Sequence, residues 1–120
     1  MRPAALLLGL SCALIVAACG QTISDINLRP DRHYQKTVSL IGQVSRLERL
    51  PGETLLELVG QRGGRILVKS TEPVEAEAGD WVSVKGLLVP EVRVGDAVLY
   101  DVVLADEVSS RGPPRIPDFM

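Results

Sequence analysis

Aromatic side chains are nearly missing from this chain: one Phe, one Trp and two Tyr amount to 3% of 120 residues. Proteins that hold single-stranded nucleic acid stack bases on aromatic platforms, and between positions 20 and 107 only Tyr34, Trp81 and Tyr100 are available. Histidine is scarcer still, since His33 stands alone. A zinc or copper site would therefore rest mainly on carboxylates, and a packing or helix-end role is the simpler account of His33 beside Tyr34. No serine lies in a GxSxG elbow or a triad pattern. Gly63-Gly64 is too short for a phosphate cradle. A basic excess is also lacking: 13 Lys and Arg face 15 Asp and Glu, for a net charge of −2. That balance provides no general attraction to phosphate backbones. The acids Glu72, Glu75, Glu77 and Asp80 lack the ordered spacing and turn glycine of a calcium loop. No catalytic residue, metal or cofactor is expected.

What the chain does have is an uncharged start. Arg2 is followed by a run without charge from Ala4 to Ala18, and small residues lead into Cys19. This is the layout of a signal peptide with a cleavage site. The run is too short for a membrane span, which needs about 20 residues. Val16-Ala17-Ala18-Cys19 resembles the lipobox of bacterial lipoproteins. The resemblance implies diacylglycerol on the Cys19 thiol and cleavage just before it, so that several acyl chains anchor the protein to a bilayer. It also implies a cell-envelope location. Gly20 rather than aspartate after Cys19 points, in a Gram-negative cell, to the periplasmic side of the outer membrane. Cys12 would leave with the peptide and Cys19 would be acylated, so no disulfide is expected.

The remainder suits one small domain. Residues 19–23 form a short tether. Ser24 is positioned to cap a brief helix that carries Ile26 and Leu28 and stops near Pro30. From Lys36 to Leu50, Val38, Leu40 and Gly42 alternate before Val44 and Leu47 break the period, as in a strand that bends or bulges. Glu53 to Gly60, with Leu56 and Leu58 on one face, and Arg65 to Ser70, with Ile66 and Val68, make a hairpin around Gln61–Gly64. A loop from Thr71 to Asp80, with one helical turn near Val74–Ala78, precedes a strand carrying Val82, Val84, Gly86 and Leu88. Pro90 is expected to end that strand. A fifth strand runs from Ala97 to about Ala105, and its near-continuous apolar character suggests burial on both faces. Residues 108–120 are expected to form a flexible tail.

Five short strands argue for an all-β barrel or sandwich. Their order behind a short helix matches the five-stranded Greek-key OB-fold barrel, here over residues 24–107. Ile23 to Val44, with a proline, an aromatic, a lysine and a valine-rich strand containing glycine, resembles the opening of bacterial OB-fold proteins of the tRNA-anti-like kind. Ala78-Gly-Asp-Trp-Val-Ser-Val-Lys-Gly86 resembles a later strand of the same family. The resemblance implies a fold and leaves the function open.

OB-folds bind along strands two and three, beside the loops after strands one and four. That region holds Arg46, Arg49, Arg62, Arg65 and Lys69 against Glu48, Glu53 and Glu57, whereas residues 72–107 hold nine acids against Lys85 and Arg93. The five cations are the expected binding surface for an acidic protein or an envelope polymer. A small-ligand or metal carrier, or an accessory domain of an envelope enzyme, is the second expectation. Nucleic acid is disfavoured.

Overall fold

A computed structural model describes residues 22–114. Cys19, the expected signal peptide and residues 115–120 of the expected tail lie outside the described residues. The elements are a helix α1 (Ile23–Leu28), a 3₁₀ turn (Pro30–Arg32) and five strands: β1 (Thr37–Leu50), β2 (Glu53–Val59), β3 (Arg65–Ser70), β4 (Trp81–Val94) and β5 (Ala97–Arg111). No helix among the described residues is long and apolar enough to cross a membrane.

Period-two apolar patterning makes the strands. Val38, Leu40 and Val44 of β1, Leu56 and Leu58 of β2, Ile66 and Val68 of β3, and Val82, Val84 and Leu88 of β4 all point into one buried cluster. The strands close in the order β1-β2-β3-β5-β4, antiparallel except for the β3–β5 seam, where Leu67–Ser70 pair in parallel with Val102–Ala105. This is the expected five-stranded barrel.

Each mouth has its own plug. At one end α1 buries Ile23 and Ile26 in the core, and Ile23 rests on Gly42, Gly60 and Gly64, where any Cβ would meet it at 3.1–3.3 Å. At the other, the segment after β3 buries Val74 and Ala76. That segment carries no helical turn between Val74 and Ala78, contrary to the sequence expectation. Arg49 holds it instead, donating to the carbonyls of Val74 at 2.9 Å and Ala76 at 3.3 Å.

Several expected boundaries are corrected. The helix cap is Thr22 and not Ser24: Asp25 N–H donates to Thr22 Oγ1 at 3.1 Å, and Thr22 N–H donates back to Asp25 Oδ2 at 3.3 Å. Only Thr22 has a carboxylate three positions on to return the bond. In β1, Val44 stays in the inward alternation; the register shifts between Val44 and Arg46, and Leu47 then turns inward opposite Leu56. Pro90 does not end β4. Pairing with β1 stops at Leu87, so among the described residues the later part of β4 has β5 as its only strand neighbour, and the register steps over Pro90 from Val89–Val102 to Glu91–Tyr100. A missing N–H is tolerated where there is no second ladder to supply. β5 likewise outlasts its expected end and reaches Arg111 opposite Trp81, which takes the first residues of the expected tail into the sheet. Its Val102 and Val103 are both fully buried, but Tyr100 is 66% exposed, so double-faced burial holds only beside β3.

The second register shift lies between Lys85 and Gly86. A Cβ on Gly86 would stand 2.2 Å from the Leu104 carbonyl oxygen and 2.8 Å from Ala105 Cα. Both obstacles are backbone, so neither can swing aside. Gly86→Ala is therefore expected to lower stability by roughly 1–3 kcal/mol, read as a lower urea midpoint with an unchanged slope.

Candidate ligand-binding face

The outward residues of β1, β2 and β3 form one continuous face. A groove of about 460 Å³ opens on it, lined by Leu55 and Leu67 together with Arg46, Glu48 and Glu57. Strand alternation places Leu55 opposite Lys69 and Leu67 opposite Glu57, so the two leucines are diagonal neighbours across the β2–β3 ladder. Both remain half-buried although they point away from the barrel core. The shift after Val44 puts Arg46 on this face, paired in register with Glu57.

Charged groups beside the groove are largely committed to one another. Ser45 Oγ donates to Glu57 Oε1 at 2.7 Å, and Arg65 Nη1 donates to the same oxygen at 2.9 Å. The Ser45 hydrogen bond first, and then the Arg65 charge, hold the Glu57 carboxyl below its ordinary pKa. Lys69 Nζ stands 3.4 Å from Glu53 Oε1, and both side chains are only about a fifth exposed (20% and 19%).

The five expected binding cations are therefore not one surface. Arg49 is the clamp on the 71–80 segment and also meets Glu77 at 3.3 Å. Arg65 and Lys69 sit in ion pairs along β2 and β3. Arg62 lies in the turn between β2 and β3, at the mouth plugged by α1. Only Arg46 faces the groove without an ion pair among the described residues. Sequence reasoning missed Leu55 and Leu67, although their signal was present: in β2 and β3 these two leucines fall on the face that also carries Glu53, Glu57, Val59, Arg65 and Lys69.

The isolated aromatics and histidine fall elsewhere. Tyr34 packs against the core and its hydroxyl donates to the Asp101 carboxylate, which raises the phenol's pKa. Asp101 has φ 55°, so Tyr34 ties the start of β1 to a kink in β5. Trp81 is half-buried between Gln43 and Arg111 in the register, away from the groove. His33 ends the 3₁₀ turn, donating its N–H to the Pro30 carbonyl at 2.9 Å. Among the described residues no three His, Cys, Asp or Glu side chains converge as metal ligands.

No family model and no curated protein matches this sequence. Solved structures do. The chain is similar to the "putative aspartyl-tRNA synthetase from Leishmania major Friedlin", with a TM-score of 0.58 and 14% identity over 76% of this chain and 20% of that one. It is also similar to "OBody AM1L10 bound to hen egg-white lysozyme", with a TM-score of 0.51 and 15% identity over 68% of this chain and 85% of that one. The chain thus spans about a fifth of the length of the synthetase. Identities this low carry the fold alone. Together with the strand order, they define the class: an all-β protein with an OB-like five-stranded barrel and a short N-terminal helix.

Two tests separate structural from binding charges. Arg49→Ala is expected to cost roughly 1–2 kcal/mol, because two loop carbonyls lose a charged donor, and limited proteolysis should cut faster between 71 and 80. Arg46→Ala should stay within about 0.5 kcal/mol of the parent. The lowered pKa of Glu57 fixes the sign of a pH effect. Its contribution to stability is present above the unfolded carboxyl value, about 4.3, and is lost as pH falls through the lower folded value. Glu57→Gln should therefore flatten the acid limb of a stability-against-pH curve.

Proposed function

We propose that this protein is a lipid-anchored, non-enzymatic module of the bacterial cell envelope whose barrel captures a partner protein on the outward face of β1–β2–β3. The observation that carries the reading is the groove: an apolar floor of Leu55 and Leu67 left open on a finished barrel, with Arg46 free beside Glu48 and Glu57. Apolar anchors within a polar, mixed-charge rim are how protein interfaces are built. An anionic envelope polymer competes for the same face, but it would draw on a row of free cations, and the ion pairs of Arg65 and Lys69 leave only Arg46. No aromatic side chain supports base stacking there. The structural neighbour bound to lysozyme supports use of this fold to hold a protein. Attachment through acylated Cys19 rests on the resemblance of Val16–Cys19 to a lipobox.

The test is a photo-crosslinking residue at position 67 in intact cells, with the same residue at the exposed position Lys85 as comparison. A discrete protein adduct is expected from position 67 alone. Leu55→Asp or Arg46→Glu should reduce it roughly tenfold, as loss of one interface anchor implies. Identical adducts from both positions would remove this face from the reading.

A further inference from the structure

The α1 mouth of the barrel has a surface that the partner groove does not use. Leu28, the last residue of α1, is 80% exposed, the most exposed large apolar residue among those described. Arg29 follows it directly and Arg32 four positions on; both are exposed, and neither forms an ion pair among the described residues. The turn between β2 and β3 brings a third cation to the same end. Gly64 of that turn lies against Asn27 and Ser24 of α1. Asp25 is held below its ordinary pKa by hydrogen bonding with Thr22 first and by the nearby charge of Arg62 as a smaller cause. Arg62 is also exposed and outside any ion pair among the described residues. The acids at this end include Asp25, tied into the helix cap, Asp31, and Asp101, which accepts from the Tyr34 hydroxyl; the β4–β5 hairpin adds Glu91 and Asp96.

We propose that this end of the barrel rests on a bilayer, with Leu28 dipping into the interface and Arg29, Arg32 and Arg62 meeting anionic phospholipid headgroups. The proposal deepens the lipid-anchor reading and rests on it for the nearness of the membrane. Thr22, which opens α1, follows Cys19 by three positions. Such a tether reaches at most about 11 Å, so an acylated Cys19 holds the α1 end against the surface. The uncharged Ala4–Ala18 run, if retained, would have the same effect. An exposed apolar side chain ringed by arginines suits that boundary, because the aliphatic part enters the acyl region while guanidinium groups stay at phosphate level. The chain's net charge is −2, so the attraction is local to this end. The groove on β1–β2–β3 then lies on the barrel wall, where the bilayer does not cover it.

The experiment uses the full chain as cells produce it, in vesicles of phosphatidylcholine with or without phosphatidylglycerol. A fluorophore is placed through an incorporated azide residue at position 28 or, at the opposite mouth, at exposed position 75. Headgroup spin-labelled lipid serves as quencher. Quenching at position 28 should exceed that at 75 several-fold, should increase with phosphatidylglycerol, and should fall toward the level at 75 in an Arg29→Glu, Arg32→Glu, Arg62→Glu variant that retains its circular dichroism. Equal quenching at the two positions, or stronger quenching at 75, would overturn the proposal. The mass of the same protein records whether Cys19 is acylated or residues 4–18 are retained, so the anchor and the resting face are judged separately. If neither anchor is present, the anchor reading fails. The face is then judged by flotation of the soluble chain, where stronger capture by phosphatidylglycerol vesicles that the triple variant loses supports it, and indifference to lipid charge overturns it.

Discussion

The barrel depends on one close approach of backbone to backbone. At Gly86 the chain of β4 runs so near Leu104 and Ala105 that no side chain fits between them. The register shift there bends the β4–β5 pair at the level where β5 also meets β3 through Leu67–Ser70 and Val102–Ala105. Twisted sheets close only when strands can coil sharply at such points. With that bend, β5 serves two neighbours at once, and the parallel seam joins the β1–β2–β3 sheet to the β4–β5 hairpin.

Closure sorts the polar residues into two kinds. Some finish the structure: Arg49 holds the far plug, Tyr34 ties β5 at its kink, and Ser45 and Arg65 share Glu57. Among the described residues every buried side-chain polar atom has a hydrogen-bond partner, as a low-dielectric interior requires. The remainder are left over from folding and are available for other uses. Arg46 beside the Leu55–Leu67 floor is one such group. The arginines around Leu28 are another, on a different side of the barrel.

Most of the fold was legible because strand alternation is local. Val38, Leu40, Leu56, Leu58, Ile66, Val68, Val82 and Val84 mark inward faces whatever their neighbours are. The errors cluster where a neighbour decides. Pro90 reads as a stop, yet among the described residues the stretch beyond it has only β5 as a hydrogen-bonded partner and can do without an N–H. Residues 108–111 read as tail because little in them is apolar, whereas their pairing with Trp81–Val84 is a backbone matter. The site was less legible. A count of cations along residues 46–69 could not reveal that three of five would be engaged by Glu53, Glu57 and the 71–80 segment.

By itself the sequence determined the class of fold, the inward faces of the strands, the short helix ahead of β1 and the lack of any aromatic or histidine constellation, since each follows from residue type and period along the chain. Tertiary structure alone decided which charges are spent on holding the barrel and which face outward unpaired, where the Leu55–Leu67 groove opens, and that Arg62 joins Arg29 and Arg32 at one mouth. Those outcomes depend on register and closure, which bring together residues far apart in the chain and which no local pattern encodes.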